Sequence, residues 1–264
     1  MTTRRILIGE FLGTFILIFF GCGSVVAAVI IGALPDLPSV AAVWALAVAF
    51  GIIVAAPISG AHMNPAVTLA FAVSKHTPWN QVPTYIITQF IAAFAAAGAL
   101  FLIFDPAIAE YETFQGIVRG SAESYKSAMV FGEYYPNPGF EDTLSVSTGL
   151  AFAVEAFGTF VLMVTIYQTA FRQSTNPLSF PLAIGLVIFM LICLIAPLTQ
   201  ACFNPARDMG PRFLSAIAGW GSATFPNGFG HVIVYVAGPI VGAVSGAILY
   251  KTVLVKSEDP EPEA

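Results

Sequence analysis

Asn64 and Asn204 are the side chains whose setting most clearly implies a task. Each opens an Asn-Pro-Ala tripeptide, 64–66 and 204–206, between long apolar runs. A carboxamide carries two N–H donors and one acceptor oxygen. With proline next, at home in the first position of a helix, the amide would sit at the positive end of a helix dipole. The chemistry this permits is non-covalent: hydrogen-bond exchange with an acceptor oxygen on a passing neutral molecule, and an electrostatic barrier to cations and protons. The alternative is that each Asn only caps a helix. Two matched copies in apolar sequence weigh against it, whereas Asn137-Pro138 and Asn176-Pro177 lie in polar stretches and read as ordinary turns.

Other groups cluster around these two. Arg207 follows the second tripeptide; an arginine at membrane depth faces protein or water, so it reads as a pore-lining donor at the outer mouth rather than a snorkelling surface residue. The non-helical approaches to the two turns, Gly60, Ala61, His62 and Met63 and then Gln200, Ala201, Cys202 and Phe203, cannot pair all their carbonyls locally. They are expected to offer a line of acceptors. Glu10 and Glu155 could form a proton relay. Their identical placement in similar segments favours a structural role, each accepting hydrogen bonds from a buried loop. His62 could titrate, but reads better as a hydrogen-bonded wall. Cys22, Cys193 and Cys202 show neither metal-ligand nor redox spacing. No nucleophile, metal cluster or cofactor motif is visible, so no enzyme, metal or cofactor is expected.

The elements that must hold these residues are membrane helices. With 57% hydrophobic residues, 9% charged and a mean hydropathy of +0.83, 264 residues are too apolar for a soluble domain. Candidate spans near the roughly 20 residues needed to cross a bilayer are 6–31, 40–58, 82–104, 147–170, 180–197 and 232–255. The first contains Glu10 and is too long for a signal peptide, so it is read as retained. An even number of spans leaves both termini on one face. Arg4, Arg5, Lys75, Arg172, Lys251 and Lys256 fall on that face, which marks it as cytoplasmic; Arg119, Lys126, Arg207 and Arg212 fall on the other. The stretch 105–144 is too polar to cross and is expected as an exterior connection. The net charge of −5 comes partly from an acidic tail, 257–264, read as disordered. It argues against nucleic acid as a partner.

Glu10-Phe11-Leu12-Gly13-Thr14-Phe15 returns as Glu155-Ala156-Phe157-Gly158-Thr159-Phe160. The tripeptides repeat at a similar offset, as do Gln89-Phe90-Ile91-Ala92-Ala93 and Gly238-Pro239-Ile240-Val241-Gly242. The chain is therefore read as one domain of two duplicates, roughly 1–125 and 140–264. With an odd number of spans each, the duplicates must be inverted, which places a shared pathway at their interface near the midplane. Small residues such as Ala92, Ala93, Gly238, Gly242 and Gly246 suit close helix packing.

Ser59-Gly60-Ala61-His62-Met63-Asn64-Pro65-Ala66-Val67-Thr68 and Asn204-Pro205-Ala206-Arg207-Asp208-Met209-Gly210-Pro211-Arg212 resemble the aquaporin and aquaglyceroporin family, the major intrinsic proteins. The resemblance covers nearly the whole chain. It implies an all-α membrane protein of six tilted helices and two re-entrant half-helices, in a homotetramer with one pore per subunit. Asp208, Arg212 and Tyr135-Pro136-Asn137-Pro138 look like the glycerol facilitator branch; Tyr235-Val236 departs from the Pro-Leu pair usual there. The family's outer filter maps onto Trp44, Ile192, Ala201 and Arg207. Trp44 and Arg207 match glycerol facilitators, which usually carry Gly and Phe at the other two positions. The combination is similar to that of some plant nodulin-like intrinsic proteins, and no filter histidine marks a narrow water pore. The resemblance thus implies a passive channel in the cell (inner) membrane for glycerol-like neutral solutes with some water. A mainly water-selective pore is the alternative, and an ion-coupled secondary transporter the remote one.

Overall fold

The computed structural model of the protein describes residues 1–170 and 176–254. Arg172, Lys256 and the acidic tail 257–264 lie outside the described residues. Among those described there is no strand. Four helices belong to the first half: α1 (Thr3–Val29), α2 (Leu37–Ser59), the short α3 (Pro65–Val73) and α4 (Val82–Gln115). After a small helix α5 (Tyr125–Ala128) come α6 (Thr148–Ala170), α7 (Ser179–Thr199), the short α8 (Pro205–Ser215) and the last span. That span starts as α9 (Gly230–Val232), passes through a π-helical turn (Ile233–Ala237) and continues as α10 (Gly238–Leu249). Six of these elements are long and apolar enough to cross a membrane. Each hides only part of its surface against its neighbours; side chains such as Leu46, Leu102 and Leu194 stay exposed on the outside, as suits a protein solvated by lipid.

The third span differs from expectation. Its helix does not stop near residue 104 but runs on to Gln115. The charges of 105–115 forbid hydrocarbon, yet they do not forbid a helix. Ile108 and Glu112 are buried in this extension, and Arg119 folds back to bond Asp105 at 2.7 Å and Glu112 at 2.9 Å. Asp105 and Glu112 sit two turns apart on one face, so a single guanidinium clamps both. The connection between α4 and α6 is correspondingly shorter and more ordered.

Packing places the short helices. Each one lies against the closing span of the other half, α3 on α10 and α8 on α4, while α2 meets α7 across the centre. The contacts are tight because the residues are small. A Cβ on Gly210 of α8 would come 2.6 Å from the Cβ of Ala93 on α4, and one on Gly242 of α10 would come 2.0 Å from the Ala156 carbonyl of α6. Ala92, Ala93, Ala96 and Ala97 are fully buried at this seam.

Candidate functional site

The two turns that precede α3 and α8 share one unusual backbone. Gly60, Ala61 and Met63 have φ of 85°, 54° and 50°; Gln200, Ala201 and Phe203 have 62°, 63° and 53°. Left-handed φ at a residue with a Cβ costs energy, of order 1–3 kcal/mol at each such position, and persists only where the surroundings over-determine it. Here the determinant is a buried carboxylate. Glu10 on α1 accepts from the backbone N–H of His62 at 3.0 Å and Met63 at 2.7 Å, from Ser59 Oγ at 2.7 Å and from Gln89 Nε2 at 2.7 Å. Glu155 on α6 accepts from Cys202 N at 3.0 Å, Phe203 N at 2.8 Å and Thr199 Oγ1 at 2.6 Å. Both glutamates are fully buried. Gly13 and Gly158, one turn further along the same helices, leave the space taken by the side chains of Met63 and Phe203.

With these N–H groups held, the carbonyls face the other way. Each asparagine then ties the two turns together. Asn64 Nδ2 donates to the Phe203 carbonyl and Asn204 Nδ2 to the Met63 carbonyl, both at 2.8 Å. Their Oδ1 atoms accept from the first turn of the helix that follows, Asn64 from Ala66 N at 2.8 Å and Asn204 from Ala206 N at 3.0 Å. The carbonyls of Met63 and Phe203 therefore each accept one hydrogen bond from within. Among the described residues, no donor reaches the carbonyls of Gly60, Ala61, His62, Gln200, Ala201 or Cys202. Each asparagine amide has spent one N–H and keeps a second.

A cavity of about 140 Å³ runs past these groups. Its polar side is residues 60–64 and 200–204. Opposite stand Leu17, Val48, Ile52, Leu162, Ile184 and Ile188, all aliphatic. At one end the wall is Phe71, Ala170 and Phe180; towards the other it is Trp44, Ile192, Ala201 and Arg207. His62 stacks on Tyr85, with ring centroids 4.2 Å apart, and its Nδ1 pairs with Thr68 Oγ1 at 3.1 Å. It stands as a hydrogen-bonded part of the wall.

Arg207 is 4% exposed. Its guanidinium lies over the Trp44 ring, 4.4 Å from the centroid; Nη1 donates to the Phe131 carbonyl at 3.2 Å and Nη2 pairs with the carboxylate of Glu133. Trp44 in turn fits against Gly21, where any Cβ would lie 2.2 Å from the indole. Asp208 and Arg212 do not reach the cavity. They form a buried ion pair at 2.6 Å, and Asp208 Oδ1 also accepts from Glu133 N at 2.8 Å. Arg212 donates to the carbonyls of Thr224 and Glu133. This pair fastens the loop that carries Glu133 to α8. Glu133, Phe131 and Gly21 were not singled out from sequence, and Gln89 only as part of a repeat. Each acts through a partner far along the chain, and no local spacing marks it.

The profile of the major intrinsic protein family matches residues 1–250. The glycerol uptake facilitator protein of Haemophilus influenzae is 41% identical over 251 residues, covering 92% of this chain and 91% of that protein. The propanediol uptake facilitator of Salmonella typhimurium is 34% identical, over 94% of this chain and 93% of its own. In three dimensions the chain is similar to the aquaglyceroporin from Plasmodium falciparum, with a TM-score of 0.81 at 28% identity, over 96% and 97% of the two chains. Paired Asn-Pro-Ala turns meeting beside a half-polar cavity, inside six apolar helices, agree with those matches: this chain is an integral, multi-pass membrane protein and belongs to the major intrinsic protein family.

Proposed function

We propose that the protein is a passive pore for glycerol-like neutral solutes, conducting some water and excluding ions and protons. The observation that carries this reading is the two-sided cavity. A carbon chain with hydroxyls along one edge can lay its carbons on the Trp44 and Ile192 side and pass its hydroxyls along Arg207, the free carbonyls and the two asparagine amides. Each hydrogen bond lost on leaving water is then replaced in turn, which avoids the cost of burying an unpaired hydroxyl. The printed names of relatives, glycerol and propanediol uptake facilitators, describe solutes of this kind. The reaction is conduction, not catalysis. Cations and protons would meet the positive ends of α3 and α8, both directed at one point by Asn64 and Asn204.

The same reading has the halves inverted about this point, both termini cytoplasmic in the cell (inner) membrane, and a homotetramer with one pore in each subunit. Stopped-flow light scattering on proteoliposomes tests the solute. Glycerol should enter far faster than in empty vesicles, and planar-bilayer recording should show no appreciable cation current. Water flux without glycerol flux would make this a water-selective pore instead.

A further inference from the structure

We propose that Glu133 is a positioning and charge-balancing residue for the pore arginine: its carboxylate cancels the charge of Arg207 and so governs how firmly the constriction holds a passing oxygen. The proposal rests on the channel reading above.

The geometry is specific. Glu133 lies in the exterior loop, outside the six spans, yet it is fully buried. Its backbone is fixed from both sides, with N–H to Asp208 and the carbonyl to Arg212. The side chain is left pointing at Arg207 Nη2, and neither carboxylate oxygen accepts a well-formed hydrogen bond. A buried carboxylate without such bonds is costly unless a charge faces it. Glu133 is therefore not needed to hold the loop, which its main chain does alone. Among the described residues, the one polar partner of its side chain is Arg207, at the cavity mouth.

Two protonation states give two different constrictions. With Glu133 ionised, the pair is neutral and the donors of Arg207 on the cavity side are weakened by the carboxylate they share. With Glu133 protonated, Arg207 is a bare cation lining the cavity. Arg207 stays ionised in both states, and a guanidinium whose charge no neighbouring carboxylate offsets attracts a hydroxyl or water oxygen more strongly, so that oxygen is held longer and passes more slowly. Burial pushes the Glu133 carboxyl up to about 8, with Arg207 pulling against it.

The neighbours allow that titration. Asp208 on α8 and Glu155 on α6 oppose a second negative charge, while Arg212 favours it. Cys22 on α1, Cys202 before α8, Tyr134 in the same loop and Tyr235 in the last span also face Glu133, and the Glu133→Gln profile, in which all four remain, separates their titration from that of Glu133.

Glycerol flux measured on proteoliposomes between about pH 6 and about pH 10, a range over which an ordinary glutamate stays ionised, should rise several-fold through the titration of Glu133. Glu133→Gln, which keeps the backbone bonds and cannot ionise, should be slow and flat across the range. Glu133→Asp should restore the rise. Thermal unfolding in detergent should fall for Glu133→Gln, which leaves Arg207 buried without its carboxylate, so flux is compared well below every midpoint to separate the effect from loss of fold; if Glu133→Gln fails to assemble, the Asp variant carries the same comparison through a displaced midpoint. A flat profile for the unmodified protein, or a matching rise in Glu133→Gln, overturns the proposal while leaving the channel reading intact. Absence of glycerol flux at every pH overturns the channel reading, and this inference with it.

Discussion

The side chain that shapes the constriction most is Trp44, and its place is granted by a hydrogen atom on Gly21. The nearest indole carbons lie 2.2–2.4 Å from where a Cβ would stand, well inside van der Waals contact. Gly21→Val must push Trp44 into the cavity or α1 away from α2. Overpacking of this kind costs roughly 1–3 kcal/mol; if it falls on the conducting path, glycerol flux drops roughly five- to hundredfold. Proteoliposome flux at matched protein density reads this directly, and unchanged flux would show that Trp44 has room elsewhere. At this scale the sequence was half legible. Asn64, Asn204, Arg207 and Trp44 stand out by type and motif, and all four line one cavity. Gly21 and Glu133 do not stand out, because a glycine in an apolar helix and a glutamate in a polar loop are unremarkable until their distant partners are known.

Among the elements, α8 differs most from its counterpart α3. The first half's short helix carries no charged residue, whereas α8 carries Arg207, Asp208 and Arg212. The Asp208 to Arg212 pair is fully buried, and it joins α8 to the loop at Glu133 and to Thr224. Asp208→Asn would leave Arg212 charged, buried and uncompensated, a loss of about 3–5 kcal/mol. Thermal unfolding in detergent should fall clearly. An unchanged midpoint would mean that the loop is held by the ring contacts of Arg212 with Tyr134 and Phe225. The helices themselves were legible from hydropathy, and the start of each half-helix from its proline. The continuation of α4 to Gln115 was not. Charge density reports where hydrocarbon ends, and Arg119 carries the helix beyond that limit by a clamp that no helical periodicity reveals.

For the whole molecule, an even number of spans and the placement of Lys and Arg predict that the termini and the 116–142 connection lie on opposite faces. Ser145 is exposed at the edge of that connection, and two of the three native cysteines, Cys22 and Cys202, are buried. In Ser145→Cys, an impermeant thiol reagent added to intact cells should label the new residue, while a reporter fused at Ala264 should face the cytoplasm. Labelling only after lysis would reverse the orientation. Within that frame the paired asparagines carry a further consequence, for synthesis. Asn64 bonds Phe203 and Asn204 bonds Met63, so each asparagine Nδ2 donates to the turn of the other half. A ribosome delivers α3 long before α8 exists. Through that interval the Asn64 amide and the Met63 carbonyl can be satisfied only by water, because lipid offers nothing in return. The nascent first half must keep a wet cleft open at membrane depth until the second arrives to replace that water, and the passage used in the finished protein begins as a vacancy left by unfinished assembly.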